Sequence, residues 1–137
     1  MEAIRYVEGE IPSTDQLQEL YRSMTHVSPE PAGALHKALA QSQWVATAWH
    51  GDRLVGLLRV LTDQVFVAYL QELLVHADYH HQGVGKELLD HYDRAFGDFA
   101  VQVSVVAQDW VRQKLDKRGF RAEPAALSRV RSLTSWA

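Results

Sequence analysis

The stretch that decides how this chain is read is Leu73–Leu89, LLVHADYHHQGVGKELL. It starts as the apolar end of a strand, Leu73-Leu74-Val75, and crosses a polar segment, His76–Gln82. It then reaches two glycines, Gly83 and Gly85, that open a segment with helical spacing. Glycine lacks a Cβ, so main-chain N–H groups can converge and a ligand can approach them closely. At the start of a helix those groups carry the positive end of the helix dipole, which makes an anion site. Each hydrogen bond to a charged oxygen contributes about 1.5–3 kcal/mol, so a few of them hold a diphosphate. Lys86 adds a positive charge at the rim. A P-loop is excluded, because one residue separates the glycines and Glu87 follows Lys86. A dinucleotide fold needs three glycines in the first strand–helix unit, and that pattern is missing.

Outward from this segment the periodicity lays out a complete domain. Towards the C-terminus, Val84, Leu88, Leu89, Tyr92, Ala95 and Phe96 recur at helical intervals, and Gly97 stands where a cap belongs. Phe99–Val106 alternates as a strand, with Val101, Val103 and Val105 on one face and Gln102 and Ser104 on the other. Gln108–Arg118 reads as a helix ended by Gly119, and Ala126–Trp136 as a last strand. Towards the N-terminus, Val65–Val75, Leu54–Leu61 and Trp44–Trp49 are apolar runs. The latter two are joined by the hairpin turn His50-Gly51-Asp52-Arg53. Leu35, Ala38 and Leu39 predict a helix over 31–41. Leu17, Leu20, Tyr21 and Met24 predict another over 14–25, with Ser13 and Gln16 as a capping box. Ala3–Val7 opens the chain as a strand. The order β-α-α-β-β-β-α-β-α-β describes an α+β domain with a mostly antiparallel sheet. One strand–helix–strand unit, Val65 to Val106, should supply a parallel pair.

Composition bounds the chemistry. The chain has 137 residues, 47% hydrophobic and 23% charged, and is expected to form one domain over 1–137. It has no cysteine, which removes thiol nucleophiles, disulfides and Cys-ligated metals. The net charge of −3 argues against a general nucleic-acid partner. Its distribution is uneven: residues 1–85 carry five basic and ten acidic groups, residues 86–137 nine basic and seven acidic. A basic region on an acidic protein suits a small anionic ligand better than a polyanion. No segment reads as a signal peptide or reaches the roughly 20 apolar residues of a membrane span. The expectation is a cytoplasmic protein with no membrane partner. His76 and His80 are spaced i, i+4, but they fall in a loop leaving a strand, where that spacing does not bring side chains together. No metal is expected.

The segment V-H-A-D-Y-H-H-Q-G-V-G-K-E-L-L resembles, along its whole length, the cofactor motif of the GNAT superfamily of N-acetyltransferases. That motif is a strand end followed by Arg/Gln-x-x-Gly-x-Gly/Ala at the start of a helix, and the order of elements along the chain is similar too. The resemblance implies a GNAT-like fold: a mixed, mostly antiparallel sheet of six to seven strands flanked by four helices. It implies acetyl-CoA as co-substrate, without a metal, and transfer of the acetyl group to a primary amine by direct attack in a ternary complex. The main chain of His81, Gln82, Gly83, Val84, Gly85 and Lys86 would hold the pyrophosphate, with His80 at the usual Arg/Gln position ordering the loop. Leu73, Leu74 and Val75 would pair with the pantetheine arm, and Gln108 falls where the family often has an asparagine near the cofactor. Glu72 is the best-placed carboxylate to take the ammonium proton. Tyr21, Met24 and His26 lie in the segment that walls the acceptor pocket, for a small amine or a peptide. Leu115 stands where the family commonly has a tyrosine that protonates the departing thiolate, so that role falls to solvent, to Tyr69, Tyr92 or Ser104, or to no group. The same substitution makes a non-catalytic acyl-CoA sensor the competing reading. A homodimer is compatible with strands near the C-terminus.

Overall fold

A computed structural model describes residues 3–24, 32–105, 108–123, 125–127 and 129. Five strands form one sheet in sequence order: β1 (Arg5–Glu8), β2 (Trp44–His50), β3 (Arg53–Thr62), β4 (Val67–Val75) and β5 (Val101–Ser104). The first four run antiparallel, and β5 lies parallel to β4. The helices among the described residues are α1 (Thr14–Ser23), α2 (Ala32–Gln41), α3 (Val84–Phe96) and α4 (Asp109–Asp116), with a 3₁₀ turn at Ala77–Tyr79. The expected GNAT-like architecture is present, with five strands among the described residues in place of six to seven. The strand expected at Ala126–Trp136 falls almost wholly outside those residues.

Alternation along the strands divides the core into two layers. Ala46, Ala48, Val55, Leu58, Val60, Leu70, Leu73 and Val75 pack against Val84, Leu88, Leu89, Tyr92 and Phe96 of α3. Val45, Trp49, Leu54, Leu57 and Leu74 face Leu17, Leu20, Tyr21, Leu35 and Leu39 of α1 and α2. The sheet therefore lies between two helical layers. Gly56 lets α3 seat closely, because a Cβ there would come within 2.8 Å of Val84 Cγ1 and 2.9 Å of Leu88 Cδ1. The capping box at α1 forms as expected: Ser13 Oγ accepts from the Gln16 N–H, and Gln16 Oε1 from the Ser13 N–H. Gly97 ends α3 but in right-handed conformation. It is Gly119, at φ 96°, that supplies the left-handed turn after α4.

Two irregularities in this frame shape the site. The β3–β4 register runs Arg59 to Glu72 and then Val60 to Leu70, so Gln71 is an extra residue in β4. Such a bulge re-aims the side chains beside it. Consequently Leu70 and Leu73 face the α3 layer while Glu72 and Leu74 face α1. The β4–β5 ladder begins at Val67–Val101 and stops at Leu70–Ser104. Beyond it β4 continues for Gln71–Val75, bonded to β3 on its inner side and unpaired on its outer side among the described residues. The parallel ladder thus stops at a fork point, Leu70 and Ser104, beyond which β4 alone goes on as strand among the described residues.

Candidate active site at the strand fork

The carboxylate at the fork is built in from both sides. Glu72 Oε1 accepts from Arg59 Nη2 at 3.1 Å, and Oε2 accepts from the Tyr21 hydroxyl at 3.1 Å. The Arg59 and Glu72 side chains are 6% and 9% exposed, so the pair is shielded from solvent. Burial pushes the Glu72 carboxyl above its ordinary range, partly offset by the Arg59 guanidinium and the Tyr21 hydrogen bond. Burial beside that carboxylate likewise drives the Tyr21 phenol well up, so it stays a donor. Arg59 Nη1 lies 3.5 Å from Ser42 Oγ, while its Nε is buried with no partner among the described residues. Each Glu72 oxygen accepts one of these bonds among the described residues, and a carboxylate oxygen has capacity for a second.

The end of β4 leads directly into the glycine loop. His76 caps the 3₁₀ turn by accepting the Asp78 N–H at Nδ1, and burial lowers its basicity. His80 donates through Nε2 to the Val75 carbonyl at 3.0 Å and meets Trp110 edge-on, with centroids 5.2 Å apart. Trp110 in turn donates to Gln108 Oε1 at 2.6 Å. His81 and Gly83 both take left-handed conformations, at φ 63° and 83°. Gly83 is the N-cap of α3 and offers no side-chain cap, and the first main-chain bond of the helix is Glu87 N–H to Gly83 O. The amides of Val84, Gly85 and Lys86 therefore have no side-chain acceptor among the described residues. Such first-turn donors, at the positive end of a helix dipole, suit an anion.

Gly85 is a close-approach position. A Cβ there would meet Lys114 Cε at 3.3 Å and Trp110 at 3.5 Å, so the aliphatic stem of Lys114 lies across the first turn of α3. Lys86 is directed elsewhere: its ammonium pairs with Asp90 at 2.8 Å. Arg118 fastens α4 to α3 through Asp90, Asp93 and the Lys86 carbonyl.

The structure brings Glu72, Leu73, Leu74, Val75, His80, His81, Gln82, Gly83, Val84, Gly85, Lys86 and Gln108 onto one continuous path from fork to α4. Tyr21 meets the path through Glu72, whereas Met24 is only 3% exposed within the α1–α2 layer. His26 lies outside the described residues. Leu115 is buried against the α3 layer. Sequence reasoning missed Arg59, although an arginine inside the apolar run Leu54–Leu61 signals a buried ion pair. It also passed over Trp110 and Lys114, which only the docking of α4 brings to the loop. Among the described residues no group of three or more His, Asp or Glu side chains could hold a metal, and no helix is long and apolar enough to cross a membrane.

Residues 14–114 match the model of the acetyltransferase (GNAT) family. A curated relative, an uncharacterized ycf52-like N-acetyltransferase of Prochlorococcus marinus, is 29% identical over 114 residues. The match takes in 80% of this chain and spans 63% of that relative's length. The fold is shared with a protein of unknown function from meticillin-resistant Staphylococcus aureus, described as a probable acetyltransferase. The TM-score is 0.80 at 23% identity, over 95% of this chain and 99% of the other. It is shared also with AAC(6')-Iy, solved in complex with the bisubstrate analogue CoA-S-monomethyl-acetylneamine. There the TM-score is 0.66 at 14% identity, over 96% and 100% of the two chains.

Proposed function

The chain belongs to the acetyltransferase (GNAT) family, and from that premise we propose that it transfers the acetyl group of acetyl-CoA to a primary amine by direct attack in a ternary complex. The observation that carries this reading is the fork itself. The parallel pairing of β4 with β5 ends at Leu70–Ser104, a buried carboxylate stands two residues further along β4, and the uncapped start of α3 follows the same strand. The main chain of 81–86 holds the pyrophosphate, and the unpaired outer edge of Leu73–Val75 receives the amide groups of the pantetheine arm. That AAC(6')-Iy, which shares this fold, was solved with a CoA-linked bisubstrate analogue supports acetyl-CoA as the donor.

In this reading the thioester carbon reaches the fork, and the amine arrives from the α1 side, where Glu72 faces. Glu72 takes the ammonium proton, and burial, which raises its carboxyl from the ordinary value, strengthens it as a base. A main-chain N–H of β4 polarises the thioester carbonyl, a contribution of about 3–4 kcal/mol in comparable sites. The absence of cysteine closes a route through a thiol acyl-enzyme. The acidic excess of residues 1–85 favours a cationic acceptor.

The test is a calorimetric titration of acetyl-CoA into the wild-type protein and a Gly83→Arg variant, followed by an amine panel with detection of released thiol. Saturable wild-type binding that the variant loses, with thiol release for some amine, is the expected result. Binding without release for any amine would favour the sensor reading. No binding at millimolar ligand would overturn both.

A further inference from the structure

The reaction proposed above leaves one chemical need unmet: something must receive the negative charge that forms on sulfur as the thioester breaks. Leu115 is aliphatic and packed in the core, 3% exposed. Three hydroxyls stand near β4 and β5, and the structure separates them. Tyr92 is fully buried, donates to Gln102 Oε1 at 3.0 Å, and is held above its ordinary pKa by that burial. Tyr69 pairs with Val103 inside the ladder, one position before its end. Ser104 is at the apex of the fork. It is the last residue of β5, lies opposite Leu70, and its Oγ donates to the Leu70 carbonyl at 2.9 Å.

We propose that Ser104 is a catalytic residue that donates its hydroxyl hydrogen bond to the coenzyme A sulfur as the thiolate departs; the assignment rests on the acetyl-transfer reading. The two faces of the sheet support it. Gln102, two residues before Ser104, reaches Tyr92 of α3, so strand alternation puts Ser104 on the α3 side. Glu72 reaches Tyr21 of α1 on the opposite side. A proton acceptor and a hydrogen-bond donor thus flank the fork from opposite faces, which lets the amine enter on one and sulfur leave on the other. Rotation about the Cα–Cβ bond of Ser104 would release the hydroxyl from the Leu70 carbonyl.

The step balances without further reactants. The amine lone pair forms the N–C bond, the C–S pair moves onto sulfur, and the ammonium proton passes to Glu72. Ser104 keeps its proton throughout and donates only a hydrogen bond. A thiol of the cysteine class ionises near pKa 8–9, so a strong hydrogen bond suffices where a full proton transfer would be needed for a poorer leaving group.

The test uses coenzyme A itself and needs no acceptor. The ultraviolet absorbance of the thiolate is followed from pH 6 to 10 for CoA bound to wild type, Ser104→Ala and Ser104→Thr, with desulfo-CoA complexes as the blank for tyrosine ionisation. In wild type the bound thiol should be about tenfold more acidic than free CoA, the effect expected of one hydrogen bond to a charged acceptor. Ser104→Ala should lose that gain and Ser104→Thr should keep it, while all three bind CoA equally at pH 6. A wild-type complex that titrates like free CoA would overturn the assignment, as would an alanine variant that titrates like wild type. If the alanine variant fails to fold, the wild type still decides: CoA affinity must rise relative to desulfo-CoA between pH 7 and 9. Absence of any CoA binding by wild type would instead overturn the acetyl-CoA reading on which the assignment stands.

Discussion

Glu72 and the 80–86 loop lie on one path but are built in opposite ways. At Glu72 the chain supplies every partner itself: a guanidinium on one oxygen, a phenol on the other, and shielding from solvent. At the loop the chain leaves main-chain donors without a side-chain acceptor among the described residues, with two left-handed residues and a helix that starts without a side-chain cap. The first region is set before any ligand arrives, because an unpaired charge in a buried place is too costly to keep. The second can stay open because its donors are neutral, and an unbonded amide costs far less than an unpaired buried charge. Stability should therefore respond to changes at the first region, and ligand affinity to changes at the second.

Arg59→Met breaks the comparison most forcefully. It leaves Glu72 buried without its counter-ion, which typically costs about 3–5 kcal/mol. Removing the cation also removes the largest influence that lowers the Glu72 carboxyl, so its folded pKa climbs further above the unfolded value. A carboxyl with a raised folded pKa favours the folded state at low pH, and that advantage disappears as pH rises through the folded pKa. The variant should thus be nearest wild type below the unfolded carboxyl pKa, near 4.3, and weakest at pH 8. Urea midpoints at the two ends measure this, and Arg59→Met/Glu72→Gln should recover most of the loss. An equal loss at both ends would place the cost in packing and not in charge.

Gly83→Ala sharpens the other side. The position is open, with nothing among the described residues within 4 Å of where a Cβ would stand, but its φ of 83° is disfavoured for an L-residue. The expected strain is about 1–2 kcal/mol. If the backbone keeps its shape the melting temperature drops and CoA affinity holds. If it relaxes, stability returns and affinity drops about tenfold, the equivalent of 1.4 kcal/mol. Calorimetry and thermal melting on the same sample separate the two, and a variant unchanged in both would show that the left-handed turn is not needed.

How much of this can be read from the sequence follows from the range of the forces involved. The capping box at Ser13, the hairpin at Gly51, and the helical face of α3 are local, and each appears within a residue or two of its expected place. The parallel pair of β4 and β5 is legible from one strand–helix–strand unit. The bulge at Gln71 is not, since it is a matter of register between two strands and leaves no composition signature. With it goes the direction in which Glu72 points. Arg59 lies 13 residues from Glu72 in sequence, and Tyr21 lies 51 away, so their meeting depends on three elements docking together. Lys86 shows the reverse case: its place beside the glycines puts its charge at the loop rim on paper, yet an acid one helical turn on captures it.

That capture gives the smallest and most discriminating prediction. Lys86 is an exposed i, i+4 pair with Asp90, and Asp90 keeps Arg118 at 2.9 Å when Lys86 is removed. Asp90 is held below the usual carboxylate range first by the Lys86 hydrogen bond and then by Arg118, so it stays ionised in either case. Lys86→Gln should change stability by no more than about 0.5 kcal/mol. Because its ammonium points along the helix and its main-chain N–H is untouched, acetyl-CoA affinity should move less than about threefold, under 1 kcal/mol. Lys114 is the contrasting cation, since its stem crosses Gly85 at the helix start. Lys114→Gln should weaken acetyl-CoA more than Lys86→Gln does, and the gap should narrow as salt is raised, because screened charges lose their pull on phosphate. Equal losses from the two variants, or a larger loss from Lys86→Gln, would return the rim charge to the residue beside the glycines.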